Sequence, residues 1–360
     1  MGWIFVGIGF LFLNGFLFFH YKNSKNKNTY QVVHLGMIGI IAIYFWCFFT
    51  GRTDSTPITI LSYCSSFYLV LLLYSTILFL GIDLYYFIKN RSLKRETNEK
   101  VILLFLFSAA IISIYGILHG TTLKLTEYPI TLKQKESLIQ TLNAIMISDL
   151  HVGASIKQKQ LNNLKKKVEL EKPDIVFLTG DIFDEGTPDY LKHKTIQILS
   201  SIYAKYGIFY ITGNHEYNVG GLNDLLNQMR NSGIQVLMDE VVLVQNQFYV
   251  IGRIDAGQKR LPLSTLLNQA SSKFPIILLD HRPSNEGWNN GEIDLQLSGH
   301  THNGQIVPFS ITDPFTGHIS YGKKSSNHSS IIVTSGTGTW AIPSRVGSTS
   351  ELVKLNITFQ

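Results

Sequence analysis

The chain has 360 residues, with 31 Lys and Arg against 25 Asp and Glu for a formal charge of +6, and only two cysteines, Cys47 and Cys64. Residues 1–120 hold nine Lys/Arg and four Asp/Glu; residues 121–360 hold twenty-two and twenty-one, which excludes the basic footprint of a nucleic-acid binder there. Both cysteines fall in apolar segments and read as free, buried thiols, so the second part uses neither disulfides nor thiol chemistry.

Residues 1–120 contain four long apolar runs, about 2–19, 32–49, 60–88 and 101–119. Each reaches the roughly 18–20 residues that span a hydrocarbon core, so four transmembrane helices are expected. The first lacks the basic start and the small-residue cleavage site of an ordinary signal peptide. Lys22, Lys25 and Lys27 lie between the first two runs, and Lys89, Arg91, Lys94, Arg95 and Lys100 follow the third. The loop between the second and third has only Arg52, offset by Asp54. The charge bias predicts a multi-pass protein of the cell membrane whose basic loops are cytoplasmic and whose chain after His119 is extracytoplasmic. Asp83, inside the third run, reads either as a bundle-interior acid or as an interfacial one.

Residues 121–142, polar and interrupted by Pro129, read as a linker to a second domain over 143–360. That domain opens on the stretch 145–151, an apolar run that ends abruptly in Asp149-Leu-His151. In a strand of period 2 these two side chains point the same way. An amphipathic helix follows over 156–170, with Ile156, Leu161, Leu164 and Val168 on one side. Lys157, Lys159, Lys165, Lys166 and Lys167 mark a polar side, either solvated or resting on an anionic membrane surface. The next strand ends in Gly180-Asp181 with Asp184 three residues on. Another ends in Gly213-Asn214-His215-Glu216 and leads to a helix near 222–229. Shorter strands follow at 235–238, 241–245 and 248–253, then a helix near 263–270. Two further apolar runs end in Asp280-His281 and in Gly299-His300-Thr-His302, and strands are expected near 331–335 and 352–358. Alternating strands and helices, then shorter strands, suggest two packed sheets with helices outside. Apolar strands that each deliver N or O ligands, with Gly where backbone passes close, are the pattern of a metal site.

The order D-x-H, G-D-x-x-D, G-N-H-E and G-H-x-H resembles the calcineurin-like metallophosphoesterase superfamily over about residues 143–358. The resemblance implies a four-layer α/β/β/α sandwich with its site at strand ends along one edge. It implies two divalent transition-metal ions (Mn, Fe or Zn) and hydrolysis of phosphomonoesters, phosphodiesters or pyrophosphates by metal-activated water. It makes Asp181 the ligand shared by both ions; Asp149, His151 and His302 complete one site, and Asn214, His281 and His300 the other. His215 becomes the donor of a proton or hydrogen bond to the leaving oxygen, and Asp184 the carboxylate that pairs with it. Phosphoprotein phosphatases carry Arg where this chain has Glu185, and an acid there would repel a phosphoprotein. The stretches 299–305 and 336–351 are similar to a membrane-linked bacterial branch and its animal relatives. That branch usually has Gly at the place of Asn303, and Asn tolerates the positive φ such a turn needs.

Asn214, Arg282 and Arg345 are candidate contacts to the substrate's phosphate, the two arginines equally readable as structural. The expected partners are the membrane and a phosphate-containing small molecule or lipid-linked substrate, with no nucleic acid and no obligate protein partner inferred. Two alternatives stay open: a UDP-2,3-diacylglucosamine-type pyrophosphate hydrolase, which expects a cytoplasmic domain, and a catalytically silent metal-binding sensor or scaffold. Against the latter stands the presence of every residue of the motif set.

Overall fold

The computed structural model describes residues 12–20, 26–49, 55–90, 98–133, 135–153, 155–288, 291–309, 319–326 and 329–360. Three long helices come first: α1 (Lys27–Phe49), α2 (Thr56–Asn90) and α3 (Glu99–Gly120). Among the described residues these are the three that are long and apolar enough to cross a membrane. Their apolar side chains lie all round the helix, as lipid surroundings require and a one-sided aqueous helix does not. The first predicted span, 2–19, falls mostly outside the described residues, and its remainder, 12–19, belongs to a helical stretch that runs to residue 20. There Leu17 packs with Leu72, Phe79 and Ile102. His20 Nε2 lies 3.1 Å from the Asp83 carboxylate, so Asp83 is an acid of the bundle interior with an imidazole partner. Cys47 and Cys64 are free thiols.

The chain continues as β1 (Leu123–Leu132), β2 (Thr141–Ile147), α4 (Gln158–Leu170), β3 (Ile175–Leu178), α5 (Asp189–Ser200), β4 (Ile208–Tyr210), α6 (Leu222–Asn231), β5 (Gln235–Val236), β6 (Glu240–Val244) and β7 (Phe248–Gly252). Then come α7 (Leu263–Leu267), β8 (Ile276–Leu279), α8 (Asn285–Trp288), β9 (Leu295–Ser298), β10 (Gly322–Ser325), β11 (Ser330–Val333) and β12 (Ser350–Phe359). They form two six-stranded sheets, ordered β1-β12-β2-β3-β4-β5 and β10-β11-β9-β8-β7-β6. Strands β2 to β5 run parallel in the first, and β7, β8, β9 and β11 in the second.

Residues 121–142 are not a linker. After Gly120 only two residues separate α3 from β1, which pairs in parallel with β12 from Leu123↔Ser350 to Leu132↔Phe359. Pro129 is tolerated because β1 is an edge strand, where a missing N–H breaks no ladder on the open side. The membrane helices are therefore welded to the sheet rather than tethered to it.

Alternation decides which side chains fill which layer. Met146, Phe177 and Phe209 of the first sheet meet Val250, Ile277 and Leu297 of the second, forming the core between the sheets. Their neighbours Ile145, Ile147, Val176 and Leu178 face outward onto Leu161, Leu164 and Val168 of α4 and Leu191 and Leu199 of α5. On the far side Leu263 and Leu266 of α7 cover Ile251 and Leu278. Strands β3 and β8, Ile-Val-Phe-Leu and Ile-Ile-Leu-Leu, are apolar throughout because both of their faces are buried.

The sheets sit against one end of the helix bundle. Lys157 Nζ donates to Thr59 Oγ1 at 2.7 Å, near the start of α2. Arg345 N donates to Gly116 O at 2.9 Å, and Ser350 Oγ to Gly120 O at 2.9 Å, at the end of α3. Tyr44 of α1 donates to Ala341 O. Helix α2, 35 residues and so about 50 Å long, exceeds a hydrocarbon core of about 30 Å.

Candidate metal centre

The motif residues gather where the central strands of both sheets end. Strand β2 stops at Ile147, so Asp149 and His151 lie beyond the strand, in a turn. Strand alternation is thus not what aims them together. Both take left-handed backbone, φ 51° and 48°, as do Asp181 (52°), His300 (73°) and His302 (50°). Non-glycine residues adopt this region at a cost of about 1–3 kcal/mol each and keep it only where the surroundings over-determine it. The surroundings here are backbone bonds between neighbouring turns: Asp149 N to Gly180 O at 2.9 Å, His151 N to Asp181 O at 3.1 Å, and Gly338 N to Asp149 O at 3.0 Å. Two motif glycines are needed for close approach. A Cβ at Gly213 would fall 2.2 Å from Asp181 Oδ1, and one at Gly299 would fall 2.1 Å from Asp149 Oδ2. Asn303, where glycine was expected to be usual, takes φ 47°.

Two ligand groups result. In Asp149, His151 and His302, and again in Asp181, His281 and His300, one donor atom from each residue lies within 4.8 Å of the others. His151 Nε2 and His302 Nε2 face each other at 2.9 Å, and Asp149 Oδ1 is 3.5 Å from His302 Nε2. In the second group His281 Nε2 is 3.1 Å from Asp181 Oδ2, while its Nδ1 faces Thr179 O at 2.8 Å, which fixes the ring. Asn214 Oδ1 is buried with no hydrogen-bond partner among the described residues. A buried amide oxygen left bare is costly unless something electropositive meets it. Carboxylates, imidazoles and a bare amide oxygen at these spacings fit divalent cations.

The charges agree. Burial disfavours the His281 imidazolium, but Asp181 outweighs it, and its pKa is raised to about 10. The protein's own groups therefore hold a positive charge where a cation is wanted. His300 is lowered to about 3 by burial, His281 and Arg282, and His302 well below its usual value by burial, His151 and Arg345. Both rings keep a free lone pair. A third group joins Asp184 to His151 Nδ1 and to His215 Nδ1, each at 2.9 Å. Glu185 also reaches His215 Nδ1, at 3.1 Å. Burial opposes charge on His215; the Asp184 and Glu185 carboxylates overcome it and raise its pKa to about 12.

The two arginines beside the site are held by the protein's own acceptors. Arg282 forms a two-point pair with Asp255, Nε to Oδ2 at 2.8 Å and Nη2 to Oδ1 at 3.1 Å. Arg345 has no exposed surface. Its guanidinium donates to Ser335 O (2.6 Å), Gly338 O (2.7 Å), His302 O (3.0 Å) and Ser348 Oγ (3.1 Å). It clamps the turn that bears His302 and offers no exposed edge to a phosphate. Glu216, beside His215, is the residue the sequence undersold. Fully buried, it accepts from the backbone N–H groups of Asp181, Ile182, Phe183 and Gly213, at 2.7–3.2 Å, and so locks two ligand turns together. Its sequence signal is its place as the last residue of the G-N-H-E motif, which gave it no role.

Facing Asp/His groups at the strand ends of two sheets, with a charged imidazole beside them, define a metallophosphoesterase, an enzyme that hydrolyses phosphoric esters with divalent metals. The family model for calcineurin-like phosphoesterase matches residues 142–304. A metallophosphoesterase of Aquifex aeolicus is 33% identical over 271 residues, 70% of this chain and 98% of its own length. One from Campylobacter jejuni is 30% identical over 281 residues, 73% of each chain. A Danio rerio protein named transmembrane protein with metallophosphoesterase domain is 26% identical over 359 residues, 92% of this chain and 81% of its own. The chain belongs to the calcineurin-like metallophosphoesterases, and its three apolar helices make it a membrane protein of that family.

Proposed function

We propose that the chain is a dinuclear phosphoesterase held at the bilayer, cleaving phosphomonoester, phosphodiester or pyrophosphate bonds of a lipid-linked or envelope substrate. The carrying observation is the pair of facing ligand groups, Asp149/His151/His302 and Asp181/His281/His300, with the bare Asn214 Oδ1. Asp181 Oδ2 meets His281, and its charge also acts on Asp149 and His151 of the other group, which suits the ligand shared by two ions. Mixed Asp, His and Asn donors favour Mn, Fe or Zn over Mg or Ca. Bound there, such cations would activate water and offset charge on the phosphoryl oxygens. The chain's own residues do the rest. His215, kept protonated by Asp184 and Glu185, donates to the leaving oxygen. Asp184, shared with His151 Nδ1, fixes which nitrogen of His151 is left for a ligand role.

The layers of helix, sheet, sheet and helix are read as the four-layer sandwich of the family. The domain is assigned to the extracytoplasmic side, because Lys27, Lys89 and Lys100, the described cations of the two basic stretches, lie at helix ends away from the contacts at Thr59, Gly116 and Gly120. No obligate protein partner is invoked. The test is turnover by the purified full chain on a panel of phosphomonoesters, diesters and nucleotide-sugar pyrophosphates. Metal-dependent hydrolysis of at least one class is expected; fully metallated protein inert on all of them would make the silent-sensor reading the better one.

A further inference from the structure

Where the sheets meet the membrane helices, a cavity of 580 Å³ opens behind the metal turns. It falls within the roughly 300–1,000 Å³ of ordinary small-molecule sites. Its lining is divided by chemistry. One side is Tyr63 of α2 with Ile117 and Leu118 of α3; the other is the outward side of α4, with Lys159, Asn163 and Lys167. Those last three recur at helical spacing and are exposed, while the core stripe of α4 is Leu161, Leu164 and Val168. Lys167 Nζ donates to Leu123 O at 2.7 Å, which holds its ammonium at the rim. The apolar side is continuous with an exposed apolar stripe of α3: Ile111, Ile114 and Leu118 lie about one turn apart, and the last of them lines the cavity.

We infer that this cavity is a binding site for an anionic membrane phospholipid, with an acyl chain against Tyr63, Ile117 and Leu118 and the headgroup phosphate at Lys159 and Lys167. An apolar wall rising from the lipid-facing stripe of a spanning helix accepts a chain, and two lysines at the opposite rim accept a phosphate near the interface. A cavity of one polarity would suit either a hydrocarbon or a soluble anion; this one is built for a molecule that is both. The occupant is not the ester being cleaved. Leu150 and Thr337 stand between it and the metal centre, Leu150 in the turn between Asp149 and His151, and Thr337 N bonded to Ser148 O at 2.8 Å. The site therefore does not depend on which ester the centre hydrolyses.

The test is lipid retention by the full chain in detergent, measured by native mass spectrometry. Phosphatidylglycerol and phosphatidylcholine of identical chains serve as probes, with inorganic phosphate as competitor. One phosphatidylglycerol per chain should be retained at least tenfold more tightly than phosphatidylcholine. Lys159→Glu should remove that preference, while Lys166→Glu, on the same helix but outside the cavity, should keep it. Asn163→Trp, at an exposed position that fills the cavity without touching the core, should abolish retention of both lipids. Metal content, read on the same samples, should be unchanged in all three variants. Equal effects of Lys159→Glu and Lys166→Glu would reduce the site to diffuse surface charge. Retention unaffected by Asn163→Trp would place the lipid elsewhere, and displacement by millimolar inorganic phosphate would mean that no chain is held. Any of these overturns the inference.

Discussion

Two carboxylates converge on one nitrogen of His215, and that convergence sets the most specific expectation at the scale of single residues. With Asp184 at 2.9 Å and Glu185 at 3.1 Å, the imidazole is held as a cation well above neutral pH. His215→Gln should therefore keep fold and metals yet lose roughly 10²–10⁴ in turnover on esters with poor leaving groups. The loss should shrink on nitrophenyl phosphates, whose leaving oxygen needs little protonation; equal losses on both would assign His215 to phosphate positioning instead. The candidate ligands were legible in the chain, because Asp, His and Asn beside Gly at four successive strand exits have few other uses. Glu216 was not. An acid after a motif His reads as a helix cap, and only the fold reveals four N–H groups from two turns pointing at it. Arg345 stayed open between two readings for the same reason: a sequence shows a cation near a site, not that four acceptors already surround it.

Among elements, the contact that ties membrane to metal is the end of α3 against the turn 344–346. A Cβ on Gly116 would come 2.5 Å from Ser344 Oγ and 2.9 Å from Val346 Cγ2, and Gly116 O accepts from Arg345 N. Arg345 in turn holds His302 through its carbonyl. Gly116→Leu should displace this turn and weaken metal binding about tenfold or more, the usual worth of groups that orient ligands. Equilibrium dialysis of the full-length variant checks it; unaltered affinity in a variant with a lowered melting temperature would make the contact merely structural. Helices and buried strands were readable from periodicity, but β1 was not. Its Thr, Glu and Pro dilute the alternation, and its partner β12 lies at the other end of the chain, so nothing local announces the pairing. The turns bearing Asp149 and His151 were also hidden, since left-handed backbone at non-glycine residues is imposed by the neighbouring turns rather than encoded at the residue.

On the scale of the whole molecule, the stretches 22–27 and 89–100 carry eight Lys/Arg and the stretch 50–55 carries one, and the described cations Lys27, Lys89 and Lys100 lie at helix ends away from the catalytic domain. Single cysteines in a background lacking Cys47 and Cys64 test the orientation this implies. Probes at Ser325 and Thr53 should react from outside intact cells, and probes at Ser24 and Ser92 only after permeabilisation; protection at Ser325 would turn the domain to the cytoplasm. The central claim is that two cations share Asp181, and metal analysis of the purified full chain tests it most directly. Wild-type protein should carry close to two transition-metal ions per chain, and Asp181→Asn, folded by circular dichroism, should lose occupancy of both sites together. Full metal in Asp181→Asn, or loss of only one ion, would contradict it.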